Sequence, residues 1–265
     1  MIEPAMTLAN RLRAGETIVT AWSTLPGSAM PQELVRAGYQ AVTLDMQHGG
    51  HDYASVRDAI PAILLAGGHP VARVPVGDFA TASRLLDAGA EAIIAPMIGS
   101  VADAREFVSY IKFPPAGTRS WGPARAMELH GVAESQAYLM SADAETIGFG
   151  MIETRPALEA VDEIVAVDGL DGVFVGPADL SIALSDGARC EPGGREVQDA
   201  ARRIARAARD AGKLAGIYCN TLDDAVAARE MGFTFISWTS DKAIIRSGVS
   251  ATLAPFLEAA ANKDR

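Results

Sequence analysis

The sequence is poor in lysine, in cysteine and in long apolar runs. The chain has 33 acidic and 23 basic residues, so its net charge is −10. The four lysines, which form no patch, are Lys112, Lys213, Lys242 and Lys263. We therefore expect neither nucleic acid nor an anionic membrane surface as a partner. The two cysteines, Cys190 and Cys219, have neither CxxC spacing nor a disulfide framework.

Two further absences concern location. No apolar run approaches the roughly 20 residues that a transmembrane helix needs. The N-terminus lacks a basic segment followed by an apolar core, which is the pattern of a secretory signal. We therefore expect a soluble cytoplasmic protein.

Strand-like apolar runs alternate with helical periodicity along the chain. Helices are predicted at 6–14, 29–37, 53–65 with Asp52 as N-cap, 156–167 and 255–262. The eight runs predicted as strands are residues 17–22, 41–44, 70–74, 92–95, 147–152, 172–175, 214–218 and 233–238. Eight such units in about 250 residues are typical of a (β/α)8 TIM barrel. We predict one α/β barrel domain over residues 1–265.

Two connections are rich in proline and glycine. The segment 113–119 is predicted as an excursion too polar to belong to the core. The segment 185–195 follows the sixth strand. Long loops in a compact domain are typical of a lid, a site rim or a subunit contact.

Polar side chains follow most of the predicted strands. The active site of a barrel of this kind lies at the carboxyl ends of its strands. The groups expected there are Trp22, Asp45, His48, Arg73, Glu153, Asp179, Asn220 and Asp241. A structural barrel has no reason to collect histidine, arginine and paired carboxylates on this face, so the pattern predicts an enzyme.

Glu153 and Asp179 each follow a strand of one predicted βαβ unit. Because crossover connections are right-handed, the two strands are parallel and both carboxylates emerge on the same face. Two carboxylates suit Mg²⁺ or Mn²⁺, which keep positions open for water and substrate oxygens. Alternatively, each acid caps a helix or a turn. The Gly176-Pro177-Ala178 turn favours the metal site, because its backbone N–H groups can hold a small carboxylate beside the ion.

His48 and Arg73 are the candidates for proton transfer and anion binding. His48 lies three residues after Asp45, which we expect to bond one ring nitrogen and so orient a general base. A surface or core histidine is the alternative. Arg73 interrupts an apolar strand, which indicates a ligand anion or enolate as its partner. The remaining histidines, His51, His69 and His130, look incidental.

No lysine lies within a predicted strand, which excludes an aldolase that works through a Schiff base. Carbonyl activation is therefore assigned to a metal.

Several of these residues stand in motifs of a known family. The motifs are Asp45-xx-His48, Arg73, Pro114-Pro-x-Gly-x-Arg119, Met151-Ile-Glu153-Thr and Gly176-Pro-Ala-Asp-Leu-Ser181. They resemble the HpcH/HpaI aldolases, the 4-hydroxy-2-oxoheptane-1,7-dioate aldolase family of class II pyruvate aldolases, from about Leu12 to Gly248. The resemblance implies reversible cleavage of 4-hydroxy-2-oxoacids to pyruvate and an aldehyde, with Mg²⁺, Mn²⁺ or Co²⁺ as cofactor. It also implies a hexamer, a trimer of dimers in which the final helix is exchanged between subunits.

The resemblance also implies roles for single residues. Glu153 and Asp179 look like the metal ligands, and His48 looks like the base. Arg73 looks like the group that contacts the 2-oxo oxygen and stabilises the enolate. The Gly176-Pro177-Ala178 turn would bind pyruvate through the backbone of Ala178, while Trp22, the region of Pro123 and the 185–195 loop would set the aldehyde partner.

Asp87 corresponds to a family acid that raises the basicity of the histidine. It ends a predicted helix that runs to the opposite face of the barrel, so it would reach His48 only from a neighbouring subunit. Otherwise it is an ordinary surface acid. The chain departs from the family at Met151, where a glutamine usually contacts the substrate, and this predicts a changed substrate preference.

Two other functions remain open at this stage. A citrate-lyase-like CoA thioester lyase shares the barrel and the acidic pair, and assays with malyl-CoA or citramalyl-CoA would distinguish it. A non-catalytic barrel that senses 2-oxoacids would bind pyruvate without cleaving any hydroxy-oxoacid.

Overall fold

The computed structural model describes residues 6–261. Eight parallel strands close into a barrel in chain order, which confirms the predicted TIM barrel. The strands are β1 (Ile18–Ser23), β2 (Ala41–Asp45), β3 (His69–Arg73), β4 (Ala92–Ala95), β5 (Ile147–Ile152), β6 (Gly172–Val175), β7 (Leu214–Cys219) and β8 (Phe235–Ser240). Each predicted strand is present within two residues of its expected position, because buried parallel strands form short apolar runs that end sharply at turn residues.

The helices surround the barrel. They are α1 (Leu8–Arg13), α2 (Ala29–Arg36), α3 (Tyr53–Leu65), α4 (Phe79–Asp87), α5 (Val101–Ile111), α6 (Ala124–Leu129), α7 (Ser135–Glu145), α8 (Arg155–Glu159), α9 (Val161–Val165), α10 (Pro177–Leu184), α11 (Arg195–Asp210), α12 (Leu222–Met231) and α13 (Asp241–Ala261). Asp52 caps α3 as predicted, and its exchange of hydrogen bonds with Ser55 forms a capping box. No helix among residues 6–261 combines the length and apolarity needed to cross a membrane.

Three local predictions were wrong. The helix predicted at 156–167 is divided into α8 and α9 at Ala160. The helix predicted from Pro255 begins at Asp241 and continues through the proline, although proline favours a first helical turn. Residue 262, the last of that predicted helix, lies outside the described residues.

The third correction concerns the segment 113–119, two residues of which are buried. Phe113 packs in a small apolar cluster with Tyr138, outside the main core. The guanidinium carbon of Arg119 lies 4.6 Å from the centre of the Phe113 ring. The polar sequence concealed this packing, because a buried arginine can be accommodated where an aromatic face and an acid meet it.

The barrel interior is filled by aromatic rings up to the floor of a cavity. The rings of Phe149 and Phe235 stack with their centres 5.3 Å apart, and Phe174 packs against both. Above them lie four side chains from alternate strands, as is typical of this fold. They are Trp22 from β1, Arg73 from β3, Met151 from β5 and Tyr218 from β7.

The opposite end of the barrel is closed by α1. Oε2 of the buried Glu91 carboxylate accepts a hydrogen bond from the backbone N–H of Leu8 at 2.6 Å. The same oxygen lies 3.0 Å from Nδ1 of His69. His69 is therefore part of the contact that holds α1 in place, and it does not line the cavity.

Candidate active site

The carboxyl ends of the strands surround a cavity of about 340 Å³. The predicted residues that line it are Trp22, Asp45, His48, Arg73, Glu153, Gly176, Pro177, Ala178, Asp179 and Asn220. Pro192 also lines it, as expected if the 185–195 segment is a site rim. One cavity thus contains three carboxylates, an imidazole and a guanidinium.

Neither acid of the predicted metal pair caps a helix. Thr154 is the N-cap of α8, and its side chain accepts a hydrogen bond from the N–H of Ala157. Gly176 is the N-cap of α10, whereas Asp179 lies within the first turn. The capping alternative is therefore wrong for Glu153 and Asp179.

Glu153 is buried at the wall of the cavity, where Oε2 accepts a hydrogen bond from the N–H of Met97 at 2.9 Å. The pKa of Glu153 is raised to about 7, mainly by burial and in smaller part by the negative charge of Asp179, against the opposing effects of the Met97 N–H and of Arg73. A carboxylate in this position is deficient in positive partners. A cation between the two acids would supply that charge.

The donor set is suited to a hard divalent cation with several open positions. Within residues 6–261 no cluster of three or more histidine, cysteine or acidic side chains is arranged around a metal position. Glu153 and Asp179 would therefore be the only side-chain ligands of this kind, and water or substrate oxygens would complete the coordination. Mg²⁺ and Mn²⁺ commonly bind in this way.

Asp45 and Arg73 form a buried ion pair at the base of the cavity. Nε of Arg73 donates to Oδ1 of Asp45 at 2.9 Å, and Nη2 donates to Oδ2 at 2.8 Å. Nε1 of Trp22 donates to Oδ2 at 3.2 Å, and the Arg73 guanidinium lies over the Trp22 ring. Burial alone would raise the pKa of Asp45, but the hydrogen bonds and charge of Arg73 hold it below its ordinary value.

This arrangement corrects one prediction and qualifies another. Asp45 accepts hydrogen bonds from the backbone N–H groups of Gln47 and His48, at 3.1 and 3.3 Å, and not from the His48 ring. It therefore orients the loop and not the imidazole. Arg73 has an acid of the same chain as partner, so its burial alone does not require a ligand anion.

The two histidines of this loop have different environments. The imidazole of His48 is exposed at the cavity and has no hydrogen-bond partner within the described part of the chain. His51 is buried, with Nε2 3.0 Å from Oγ of Ser23 and Nδ1 3.3 Å from Oγ of Ser55. Burial lowers the pKa of His51, against the opposing charges of nearby acids. His48 is free to exchange a proton with a ligand, whereas His51 holds the loop and does not line the cavity.

Asp87 does not line the cavity of its own chain. It ends α4, and its Oδ1 accepts a hydrogen bond from Nη2 of Arg119 at 2.6 Å. The Arg119 side chain is 0% exposed and that of Asp87 is 25% exposed. Asp87 is therefore not an ordinary surface acid, and its catalytic role stays a prediction.

Sequence reasoning missed Tyr218, which lines the cavity with its ring edge-on to Trp22 at a centroid distance of 5.3 Å. Its hydroxyl has no hydrogen-bond partner among residues 6–261. Tyr218 is the last interior side chain of β7, two residues after Gly216 and four after Leu214. The alternation of a strand could have identified it. Thr24 also lines the cavity and was missed, although it follows the predicted end of β1.

Comparison with known proteins relates this chain to a family. The sequence pattern of the family described as HpcH/HpaI aldolase/citrate lyase matches residues 19–248. A hydroxypyruvate/pyruvate aldolase of Rhizorhabdus wittichii is 37% identical over 240 residues, which cover 91% of this chain and 94% of that protein. A 4-hydroxy-2-oxo-heptane-1,7-dioate aldolase of Klebsiella pneumoniae is 33% identical over 247 residues, 92% of this chain and 91% of that protein.

A solved structure agrees with the sequence matches. The crystal structure of an HpcH/HpaI aldolase from Desulfitobacterium hafniense is similar with a TM-score of 0.83 at 26% identity, over 95% of this chain and 97% of that one. Family, fold and enzyme class predicted from the sequence are thereby confirmed. The chain belongs to the HpcH/HpaI aldolase/citrate lyase family and is a carbon–carbon lyase.

Proposed function

We propose that this chain is a divalent-metal-dependent aldolase that reversibly cleaves 4-hydroxy-2-oxoacids to pyruvate, or a related 2-oxoacid, and an aldehyde. The observation that carries the proposal is the single cavity in which Glu153 and Asp179 share the walls with Arg73 and His48. Enzymes of this family generally depend on a divalent metal. The names of the relatives, a hydroxypyruvate/pyruvate aldolase and a 4-hydroxy-2-oxo-heptane-1,7-dioate aldolase, support a short 2-oxoacid as one product.

Each side chain has a role in this reaction. Glu153 and Asp179 would hold Mg²⁺, Mn²⁺ or Co²⁺, which when bound acts as a Lewis acid toward the 2-oxo group. The first turn of α10, with Gly176 as N-cap and Pro177 and Ala178 following, presents N–H groups to the carboxylate of the substrate. Arg73 stabilises the negative charge that develops on the 2-oxo oxygen.

His48 transfers the proton. As the bond between C3 and C4 breaks, its ring nitrogen takes the proton of the 4-hydroxyl group, and the electrons of the bond move toward C3 and the 2-oxo oxygen. C4 becomes the carbonyl carbon of the aldehyde, and the protonated His48 then gives its proton to C3, which completes pyruvate and restores the neutral imidazole. Asp87 of a neighbouring subunit would raise the basicity of His48. The His48 imidazole is exposed, so a side chain of another subunit could contact it.

Metal removal tests this function. We expect exhaustive chelation to abolish formation of pyruvate from a 4-hydroxy-2-oxoacid, and added Mn²⁺ or Co²⁺ to restore it. Asp179→Asn should weaken Mn²⁺ binding in calorimetry, because a carboxylate ligand becomes a neutral amide, whereas Asp58→Asn in an exposed ion pair should not. Cleavage that persists after chelation would contradict the proposal.

The exposed side of α13 supports a hexameric assembly, a trimer of dimers in which this helix packs on a neighbouring subunit. Ile245, Val249, Leu253 and Phe256 recur every three or four residues and are all exposed. At this spacing they form one apolar stripe on the helix.

We expect Leu253→Glu to dissociate the assembly, because a charge in the centre of a buried contact is unfavourable. Light scattering after size-exclusion chromatography measures the effect. The isolated exposed Leu65, changed to Glu, is the control and should leave the molecular mass unchanged. A monomeric unmodified chain would contradict this assembly.

A further inference from the structure

The carboxylate of Asp241 lies completely buried at the start of α13 and accepts five hydrogen bonds. Oδ2 accepts from the backbone N–H groups of Thr24 and Leu25, at 2.7 and 2.8 Å, and from Oγ of Ser23 at 3.2 Å. Oδ1 accepts from Oγ1 of Thr24 at 2.8 Å and from the N–H of Lys242 at 2.7 Å. Four of the five donors belong to the segment 23–25 that follows β1, so one side chain holds this segment.

The segment 23–25 in turn supports the loop that carries His48. The carbonyl of Thr24 accepts a hydrogen bond from the N–H of Gly50 at 2.8 Å. Gly49 packs so closely that a Cβ there would lie 3.1 Å from Cα of Thr24. Nε2 of His51 lies 3.0 Å from Oγ of Ser23. The His48 loop is therefore attached to the segment 23–25 through the residues that follow His48 in the sequence.

We propose that Asp241 is a positioning residue for proton transfer by His48, a role that rests on the function proposed above. The exposed imidazole has no hydrogen bond of its own within residues 6–261, so its place at the cavity depends on the backbone of its loop. On one side that backbone is held by Asp45. On the other side it is held through Thr24, whose position depends on Asp241.

The effect requires a carboxylate and not merely a side chain of this shape. All five partners of Asp241 are donors. An asparagine has one acceptor oxygen and an amide nitrogen that only donates. Three of the five donors are backbone N–H groups, which cannot accept, and they contact both carboxylate oxygens. Whichever way the amide is turned, Asp241→Asn therefore loses at least one hydrogen bond from the backbone and directs an N–H group at a backbone donor.

The test compares Asp241→Asn with Asp171→Asn. Asp171 is also a largely buried carboxylate that accepts from a backbone N–H, that of Gly148, but it precedes β6 at the opposite end of the barrel. Both variants are measured as metal-loaded full-length protein below their melting temperatures, with kcat and KM for aldol cleavage and with hydrogen exchange of the Gly50 amide. If Asp241→Asn does not fold, Thr24→Val, which removes the hydrogen bond to Oδ1, takes its place.

We expect Asp241→Asn to lower kcat by about 10- to 100-fold with little change in KM, since misplacement of a reacting group by about 1 Å has effects of this size. The Gly50 amide should exchange faster, and Asp171→Asn should change neither quantity. Unchanged Gly50 exchange, or faster exchange with unchanged kcat, would overturn the positioning role. A further outcome is that the unmodified protein cleaves no 4-hydroxy-2-oxoacid while Asp241→Asn still makes the Gly50 amide exchange faster. That result would refute the proposed function but support the conclusion that Asp241 holds the loop.

Discussion

Gly176→Ala is expected to remove nearly all aldol cleavage while the barrel remains folded. The backbone of Gly176 has φ −96° and ψ 91°, a region that alanine also adopts. The added Cβ, however, would collide with Oε1 of Glu153 and lie 2.8 Å from its Cδ and 2.9 Å from its Cγ. Glu153 is buried and held from another side by the N–H of Met97, so its carboxylate must leave the place from which it faces Asp179.

The expected loss in kcat is at least about 100-fold, the effect of a displacement of about 1 Å on a reacting geometry. Metal affinity should fall with it, because Glu153 is one of two ligands. The kinetics of pyruvate formation and calorimetry with Mn²⁺ measure the two effects, and thermal melting shows that the variant is folded. Gly193→Ala is the matched control, because a Cβ there meets only Oδ1 of Asp224 at an ordinary 3.6 Å. Full activity of Gly176→Ala would contradict the assignment of Glu153 as a metal ligand.

Arg73→Ala is expected to retain metal binding and lose most of kcat. Removing one group that stabilises a developing oxyanion costs about 100- to 1,000-fold in other enzymes. The same change leaves Asp45 buried without its cation, and breaking a buried ion pair from one side costs about 3–5 kcal/mol of stability. A low kcat therefore needs to be separated from a loss of structure.

The double variant Asp45→Asn/Arg73→Ala makes that separation. Removing the uncompensated charge should recover part of the lost stability, measured by denaturant unfolding, because no buried carboxylate remains without a partner. The kcat value should not recover, since no cation faces the 2-oxo oxygen. If activity returned together with stability, Arg73 would act only by supporting the structure.

The positions of the strands and of the acids that follow them were predictable from the sequence. Buried parallel strands form short apolar runs, and the carboxyl ends of such strands share one face whatever the details of packing. These two rules predicted that Glu153, Arg73 and His48 lie at the same end of the barrel. All three line the cavity there. The side chain of Tyr218 could have been added from the alternation along β7, which depends on local geometry alone.

The partners of these side chains were not predictable. Asp45 was expected to meet the ring of His48, three residues away, but pairs with Arg73, 28 residues away, because the register of β2 and β3 sets them opposite each other. Asp241 and Thr24 are 217 residues apart. No periodicity in the sequence relates such distant residues.

The sequence by itself determined the barrel, the family and the face on which the reactive groups collect, because each depends on short-range patterns and on the fixed direction of parallel strands. Only the tertiary structure decided which donor meets which acceptor, at Asp45, at Arg119 and at Asp241. Hydrogen bonds need partners within about 3 Å. Strand register and loop packing decide which residues come that close.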